Sequence, residues 1–249
     1  MTESLKQKTA KGLFWGAMNS GSTQILNLIF GIVLGRMLSP EIYSVVAILT
    51  IFVAIAGDLQ SSGFTQALVN IKRPTDRDYN SVFSFNVVMS VMMYFILFLC
   101  APLIADFYDR PYLTEVSRVL FLSFLIASIG IAHGGYMMKN MMNKEMAIIG
   151  FIALIVSGAT GITLAFLGKT YWALVWQQIA YISVTVIGKF FFVKEWRPRL
   201  TLDFGPVKQM APFAMNILVT KIVNTVSNNI LTNIFGKLFP VRNVGNYAQ

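Results

Sequence analysis

Apolar residues run along this chain in long unbroken stretches rather than in alternation. Seven such stretches stand out, at about 13–35, 42–63, 82–105, 117–138, 146–167, 171–193 and 210–236. About 20 residues of helix rise roughly 30 Å, the thickness of a bilayer's hydrocarbon core. Strands of a membrane barrel would alternate polar and apolar residues, and these segments do not. The pattern predicts an all-α integral membrane chain with seven spanning helices joined by short polar turns.

Composition agrees with that reading. Hydrophobic residues make up 55% of the 249 and charged residues 12%, with a mean hydropathy of +0.63, whereas soluble domains carry roughly 25% charged residues. The N-terminus, "MTESLKQKTAKGLFWG", has basic residues but no small-residue cleavage site after a short apolar core, so no cleaved signal peptide is expected. The single cysteine, Cys100, lies inside an apolar run, so no intrachain disulfide forms.

A net charge of +9 raises nucleic acid as a partner, but its distribution points to membrane topology instead. One set of loops holds Lys6, Lys8, Lys11, Lys72, Arg73, Arg77, Lys139, Lys144, Lys194, Arg197, Arg199 and Lys208. The opposite set holds only Arg36, Arg110, Arg118, Lys169, Lys237 and Arg242, and Lys189 and Lys221 fall inside spans. This bias predicts a cytoplasmic N-terminus. Tyr171, Trp172, Trp176 and Trp196 sit near span ends, where aromatic belts form.

The seventh span carries a polar stripe. Asn216, Thr220, Asn224, Asn228 and Thr232 recur every four residues, with Lys221, Thr225, Asn229 and Asn233 as a second row beside them. Spacing of four keeps side chains on one helix face. Such a stripe either knits helices together by hydrogen bonds or lines a wet cavity, and its density here favours the cavity. Lys221 in a span costs about 3 kcal/mol on insertion scales; it would hold an anionic group such as a phosphate as a point charge, or else snorkel toward the cytoplasm.

The first span carries a weaker stripe that includes Thr23 and Asn27. At an offset of 201 residues Thr23 meets Asn224, Asn27 meets Asn228, Gly35 meets Gly236 and Arg36 meets Lys237. Matching halves are common in transporters, with the substrate between them. The expected organisation is a six-helix lobe over 1–193, a cytoplasmic linker over 194–209, and the first helix of a truncated second lobe over 210–249. In the linker, Pro198, Gly205 and Pro206 are expected to interrupt any helix.

Three other residues are candidates for gating or coupling. Asp58 closes the apolar run of the second span, as a coupling-ion or proton site or as a structural partner for nearby cations and for the "SSGF" turn. His133, the one histidine, is a titratable relay or a packing side chain. Arg36 is an outer-gate residue or an interfacial snorkelling cation. The Met-rich "YMMKNMMNKEM" looks like adaptable filler at an interfacial turn.

No nucleotide-binding loop, no metal-ligand spacing and no hydrolytic constellation appears, so neither an enzyme nor a bound cofactor is expected. Coupling to a proton or sodium gradient remains open as an energy source.

Several segments together resemble the polysaccharide (O-antigen type) flippases of the multidrug/oligosaccharidyl-lipid/polysaccharide exporter superfamily. "KTAKGLFWGAMNSGSTQILNLIFGIVLGRMLSPEIYSVVAI" is similar to that family's first helix and turn. Asp58, Ser62, Gly63, Phe64, Ala67 and Leu68 resemble its pattern at the end of helix 2, with altered spacing. "EWRPRLTLDF" is similar to its central linker, and "FGKLFPVRNVGNYAQ" to the start of its second half. "MMKNMMNKEMA" departs from the family's arginine-rich character after helix 4.

The resemblance implies a twelve-to-fourteen-helix protein of the bacterial inner membrane. It would flip an undecaprenyl-diphosphate-linked oligosaccharide by alternating access, in company with membrane lipid and other polysaccharide assembly proteins. It assigns Lys221, Asn224 and Asn228 to one cavity wall, with Thr220, Asn216, Thr225, Asn27 and Thr23 nearby. The competing readings are a multidrug or small-cation exporter, a lipid II flippase, and a membrane polysaccharide polymerase or ligase.

Overall fold

The structure, a computed structural model, describes the backbone of residues 5–61 and 63–238, and most side chains between residues 15 and 227. Among the described residues there are eight helices and no strand. They are α1 (Leu5–Met37), α2 (Pro40–Ser61), α3 (Phe64–Asn70), α4 (Asp76–Phe107), α5 (Leu113–Lys139), α6 (Asn143–Phe166), α7 (Thr170–Phe192) and α8 (Gly205–Leu238). Each of the seven expected spans falls on one long helix; every helix starts before its apolar run, by up to eight residues, and α2, α6 and α7 stop one or two residues short of its end. By length and composition α4, α5, α6 and α7 are apolar enough to cross a membrane. The others, α1, α2 and α8, are 33, 22 and 34 residues long.

Local chemistry sets the helix boundaries. Thr75 and Asp78 form a capping box at the start of α4: the Thr75 N–H donates to Asp78 Oδ2 at 2.7 Å and the Thr75 hydroxyl at 2.8 Å. Asp76 and Asp78 in that first turn also suit the positive end of the helix dipole. Pro40 opens α2 at a position where no N–H is needed.

The same logic corrects the expectation for the linker. Gly205 and Pro206 do not break a helix but begin α8, because a proline in the first turn forfeits no intrahelical hydrogen bond. The extended segment therefore ends at residue 204. The short helix α3, seven residues after a left-handed Gly63 (φ 67°), lies where the sequence predicts only a turn.

Three apolar clusters hold the bundle together. One joins α2, α4, α5 and α7 through residues including Ile48, Leu49, Tyr108, Leu120, Phe121 and Val175. The second lies at the end of the bundle that carries the 71–75, 140–142 and 193–204 segments. It joins α3, α4, α5 and α6 to the linker and α8, through Leu68, Val82, Met137, Trp196, Met210 and Ala214 among others. A third joins α1, which packs chiefly on α6, to α7 through Leu34, Leu38, Ala173 and Leu174, with Ile162 and Ala165 of α6 against it. Helix α8 packs on α2, α3 and α4.

The extended linker lies along one face of α4. The Arg199 N–H donates to Asn80 Oδ1 at 2.9 Å, and the Thr201 N–H to Ser84 Oγ at 2.8 Å. The Ser81 hydroxyl donates to the Asp203 carbonyl at 2.6 Å, and Arg77 pairs with the Asp203 carboxylate at 2.5 Å. Residues 77, 80, 81 and 84 share a helix face, so the linker's backbone groups find partners in a single row. That guanidinium, helped by the Gly205 N–H, holds the Asp203 carboxyl below the usual carboxylate range.

A polar cavity at membrane depth

Among the described residues, a cavity of about 560 Å³ with a mixed polar and apolar lining opens between α1, α2, α6 and α7. Its polar wall consists of Thr23, Asn27, Ser157, Gln177, Gln178 and Tyr181. Val46, Leu154, Leu174 and Ile182 complete it. Gln177 lies seven residues into α7 and Asn27 ten residues before the end of α1, so both sit on the order of 10–15 Å from their helix ends. For helices whose ends lie at the bilayer faces, that depth falls within the hydrocarbon layer.

Helix packing places these groups. Gly161 of α6 lets Gln177 lie flush against it: a Cβ there would stand 3.1 Å from the Gln177 amide carbon and oxygen. One turn away, Gly158 receives the Phe30 ring of α1, which fills the space a Cβ would need. Two glycines on one face of α6 thus bring α1 and α7 close on either side, as small residues do in membrane helix packing.

Several hydroxyls of this bundle turn back on their own helix. Ser157 donates to the Leu154 carbonyl, Thr160 to Val156, Ser128 to Leu125 and Ser117 to Leu113. The cavity differs. Among the described residues, no hydrogen bond reaches the side chains of Thr23, Asn27, Gln177, Gln178 or Tyr181. These groups are open rather than buried, so their donors and acceptors are free to meet water or a polar ligand in the cavity.

The cavity gathers two of the candidate residues, Thr23 and Asn27, but not the rest. Asn216, Thr220 and Asn224 lie exposed on α8, which contributes no described residue to the cavity. Helix α8 docks Val207, Met210, Ala214 and Leu218 inward and turns that polar row the other way, with Thr220 Oγ1 donating to the Asn216 carbonyl. Lys221 is half-buried on α8. Arg36 is exposed at the end of α1. The side chains of Asp58, Thr225 and Asn228 lie outside the described residues.

His133 is fully buried away from the cavity, its ring 4.0 Å from that of Phe190 and 4.9 Å from that of Trp196. Tyr79 and Tyr136 complete this aromatic box around Trp196. Lys189 reaches α5, with its Nζ 3.4 Å from the Gly130 carbonyl.

Sequence reasoning misses Gln177, Gln178, Tyr181 and Ser157. The signal is present in "WALVWQQIAYIS": two adjacent amides in the middle of an apolar span, where each such group needs a partner.

Comparison with known proteins places the whole chain in one context. A family described as polysaccharide biosynthesis protein matches residues 33–249. The chain is 23% identical over 248 residues to the teichuronic acid biosynthesis protein TuaB of Bacillus subtilis (strain 168), covering 98% of this chain and 51% of that one. It is 22% identical over 249 residues to the lipopolysaccharide biosynthesis protein WzxC of Escherichia coli (strain K12), covering 98% and 50%. To the succinoglycan biosynthesis transport protein ExoT of Rhizobium meliloti (strain 1021) it is 22% identical over 249 residues, covering 100% and 50%. The chain thus spans about half the length of these relatives. No solved structure matches it.

Proposed function

The chain belongs to the polysaccharide biosynthesis protein family, and from that premise we propose that it forms one lobe of a transporter for lipid-linked oligosaccharide. Helices α1, α2 and α4 to α7, residues 1–193, would be that lobe. Residues 194–209 would be the linker, and 210–249 the start of a second lobe. The transporter would sit in a bacterial inner membrane with its N-terminus cytoplasmic, and would move the sugar between leaflets by alternating access. A proton or sodium gradient is the proposed energy source.

The observation that carries this reading is the orientation of α8. Its apolar row Val207, Met210, Ala214 and Leu218 is buried on the side that packs on α2, α3 and α4, while Asn216, Thr220 and Asn224 are exposed on the opposite side. Amides on a membrane helix are stable only against water or other protein, so this row fits the wall of a hydrated chamber closed by further helices. The exposed apolar faces of α4 and α6, such as Phe95, Leu99, Leu103 and Phe151, suit lipid.

Deleting the gene tests the proposal. The expected result is loss of a surface polysaccharide, with polyprenyl-linked oligosaccharide accumulating on the cytoplasmic leaflet. Unchanged surface polysaccharide refutes it.

A further inference from the structure

We infer that the cavity between α1, α2, α6 and α7 is a binding subsite for uncharged sugar groups, hydroxyl and acetamido, held chiefly by Gln177, Gln178 and Asn27. The inference rests in part on the transport reading, which supplies a glycan as ligand. The pocket chemistry is argued independently of it.

Volume comes first. At about 560 Å³ the cavity falls within the ~300–1,000 Å³ of ordinary small-molecule sites. The second point is the kind of polar group it presents. Among the described residues its lining holds no carboxylate, amine, guanidinium or imidazole. A phosphate or diphosphate is typically held by Arg or Lys, and a uronate carboxylate has the same need. Neither is served here.

Primary amides suit neutral polyols instead. Each offers two N–H donors and a carbonyl acceptor, matching a hydroxyl, which both gives and accepts, and an acetamido group, which does likewise. Thr23 adds a hydroxyl on the α1 side. Tyr181, 37% exposed at the rim, adds an aromatic body with a polar tip. The apolar walls from Leu154, Leu174 and Ile182 face the carbon skeleton of a ring.

The third point is that these groups are available. Among the described residues nothing in the protein hydrogen-bonds the side chains of Asn27, Gln177 or Gln178, whereas Ser157 in the same wall is satisfied by its own helix. The site is also built rather than incidental, since Gly161 is what allows Gln177 to sit against α6.

The test uses the full chain in lipid nanodiscs and three simple probes: methyl glucoside, methyl N-acetylglucosaminide and the methyl glycoside of glucuronate with its carboxylate free. Saturation-transfer NMR reads weak binding directly. Wild type is expected to bind the two neutral glycosides and to bind the glucuronate at least tenfold more weakly at pH 7. Gln177→Leu/Gln178→Leu is expected to weaken the neutral glycosides about tenfold or more, the loss of one to two net hydrogen bonds. Asn27→Leu, on a different helix, repeats the test should the double variant fail to fold.

Equal binding of glucuronate and neutral glycosides, or unchanged neutral binding in a folded variant, overturns the inference. The two readings fail separately. Surface polysaccharide that requires the gene, yet is fully restored by a Gln177→Leu/Gln178→Leu protein with wild-type glycoside binding, removes the subsite and leaves transport standing. Glycoside binding that the variants abolish, in a protein whose deletion leaves surface polysaccharide intact, does the reverse.

Discussion

Replacing Gly63 with alanine is expected to destabilise the protein by about 2–5 kcal/mol, through two separable effects. Gly63 joins α2 to α3 with φ at 67°, where an L-residue pays about 1–2 kcal/mol. A Cβ there would also stand 2.7 Å from the Ala214 carbonyl oxygen and 2.9 Å from the Ile217 Cβ of α8. Helical backbone cannot swing aside as a side-chain tip does, so the overlap adds roughly 1–3 kcal/mol as α8 is pushed off α3. For a chain of this size each kcal/mol moves the midpoint by about 2–4 °C, giving a fall of roughly 4–20 °C.

The assay is thermal unfolding in nanodiscs, followed by tryptophan fluorescence. Gly57→Ala is the control: Gly57 lies inside α2, and a methyl added there would meet no described atom within 4 Å. There alanine should be neutral or stabilising by up to about 1 kcal/mol. Two equal substitutions six residues apart should therefore have opposite signs. A Gly63→Ala midpoint within about 1 °C of wild type, or equal shifts in both variants, refutes the close packing of α8 on the α2–α3 turn.

Three further outcomes are expected. Gly158→Ala should lower the melting temperature by several degrees, because the Phe30 ring occupies the space its methyl would need, and Phe30→Leu should recover part of that loss; no recovery in the double variant refutes the pairing. Trp196→Ala, which empties the box between Tyr79, His133 and Tyr136, should cost about 3–5 kcal/mol, and a change below about 1 kcal/mol in the unfolding midpoint refutes its anchoring of the linker. Asp203 is the pH-dependent position: its folded carboxyl titrates below its unfolded one, so its stabilisation is full above about pH 4 and fades as pH falls through the depressed value. The gap in melting temperature between wild type and Asp203→Asn should thus narrow from pH 6 to pH 3, and a constant gap refutes the Arg77 pairing as its source.

The spans are legible because an apolar run of some 20 residues leaves a chain few alternatives. What is not legible is local or relational. Helix α3 is seven residues long and follows a left-handed glycine, so "QSSGFTQALVN" carries turn residues and too short a periodic stretch to register as helix. Gly205 and Pro206 look like breakers by residue type, although their effect depends on whether they fall in a helix's interior or its first turn. The candidate site is partly visible for another reason. Periodicity identifies which face of α1 is polar, and so finds Thr23 and Asn27. It does not say which helix meets that face. The repeat at an offset of 201 suggests α8 as the partner, whereas within this lobe α1 packs on α6 and shares the cavity with Gln177 and Gln178 of α7.

The distribution of satisfied and unsatisfied groups explains why polarity alone misleads in a membrane bundle. A serine or threonine on a helix can return its hydroxyl to the carbonyl three or four residues back, as Ser117, Ser128, Ser157 and Thr160 do here. Its polar atom is then neutralised without any neighbour, and it carries little information about a ligand. Asn86 shows that an amide can do this only in part: its nitrogen reaches the Val82 carbonyl while its oxygen stays unpaired. Gln177 and Gln178, one methylene longer, line the cavity with no described partner for their donors or acceptors. Three amides that the backbone does not absorb, Asn27 of α1 and Gln177 and Gln178 of α7, converge on a single space.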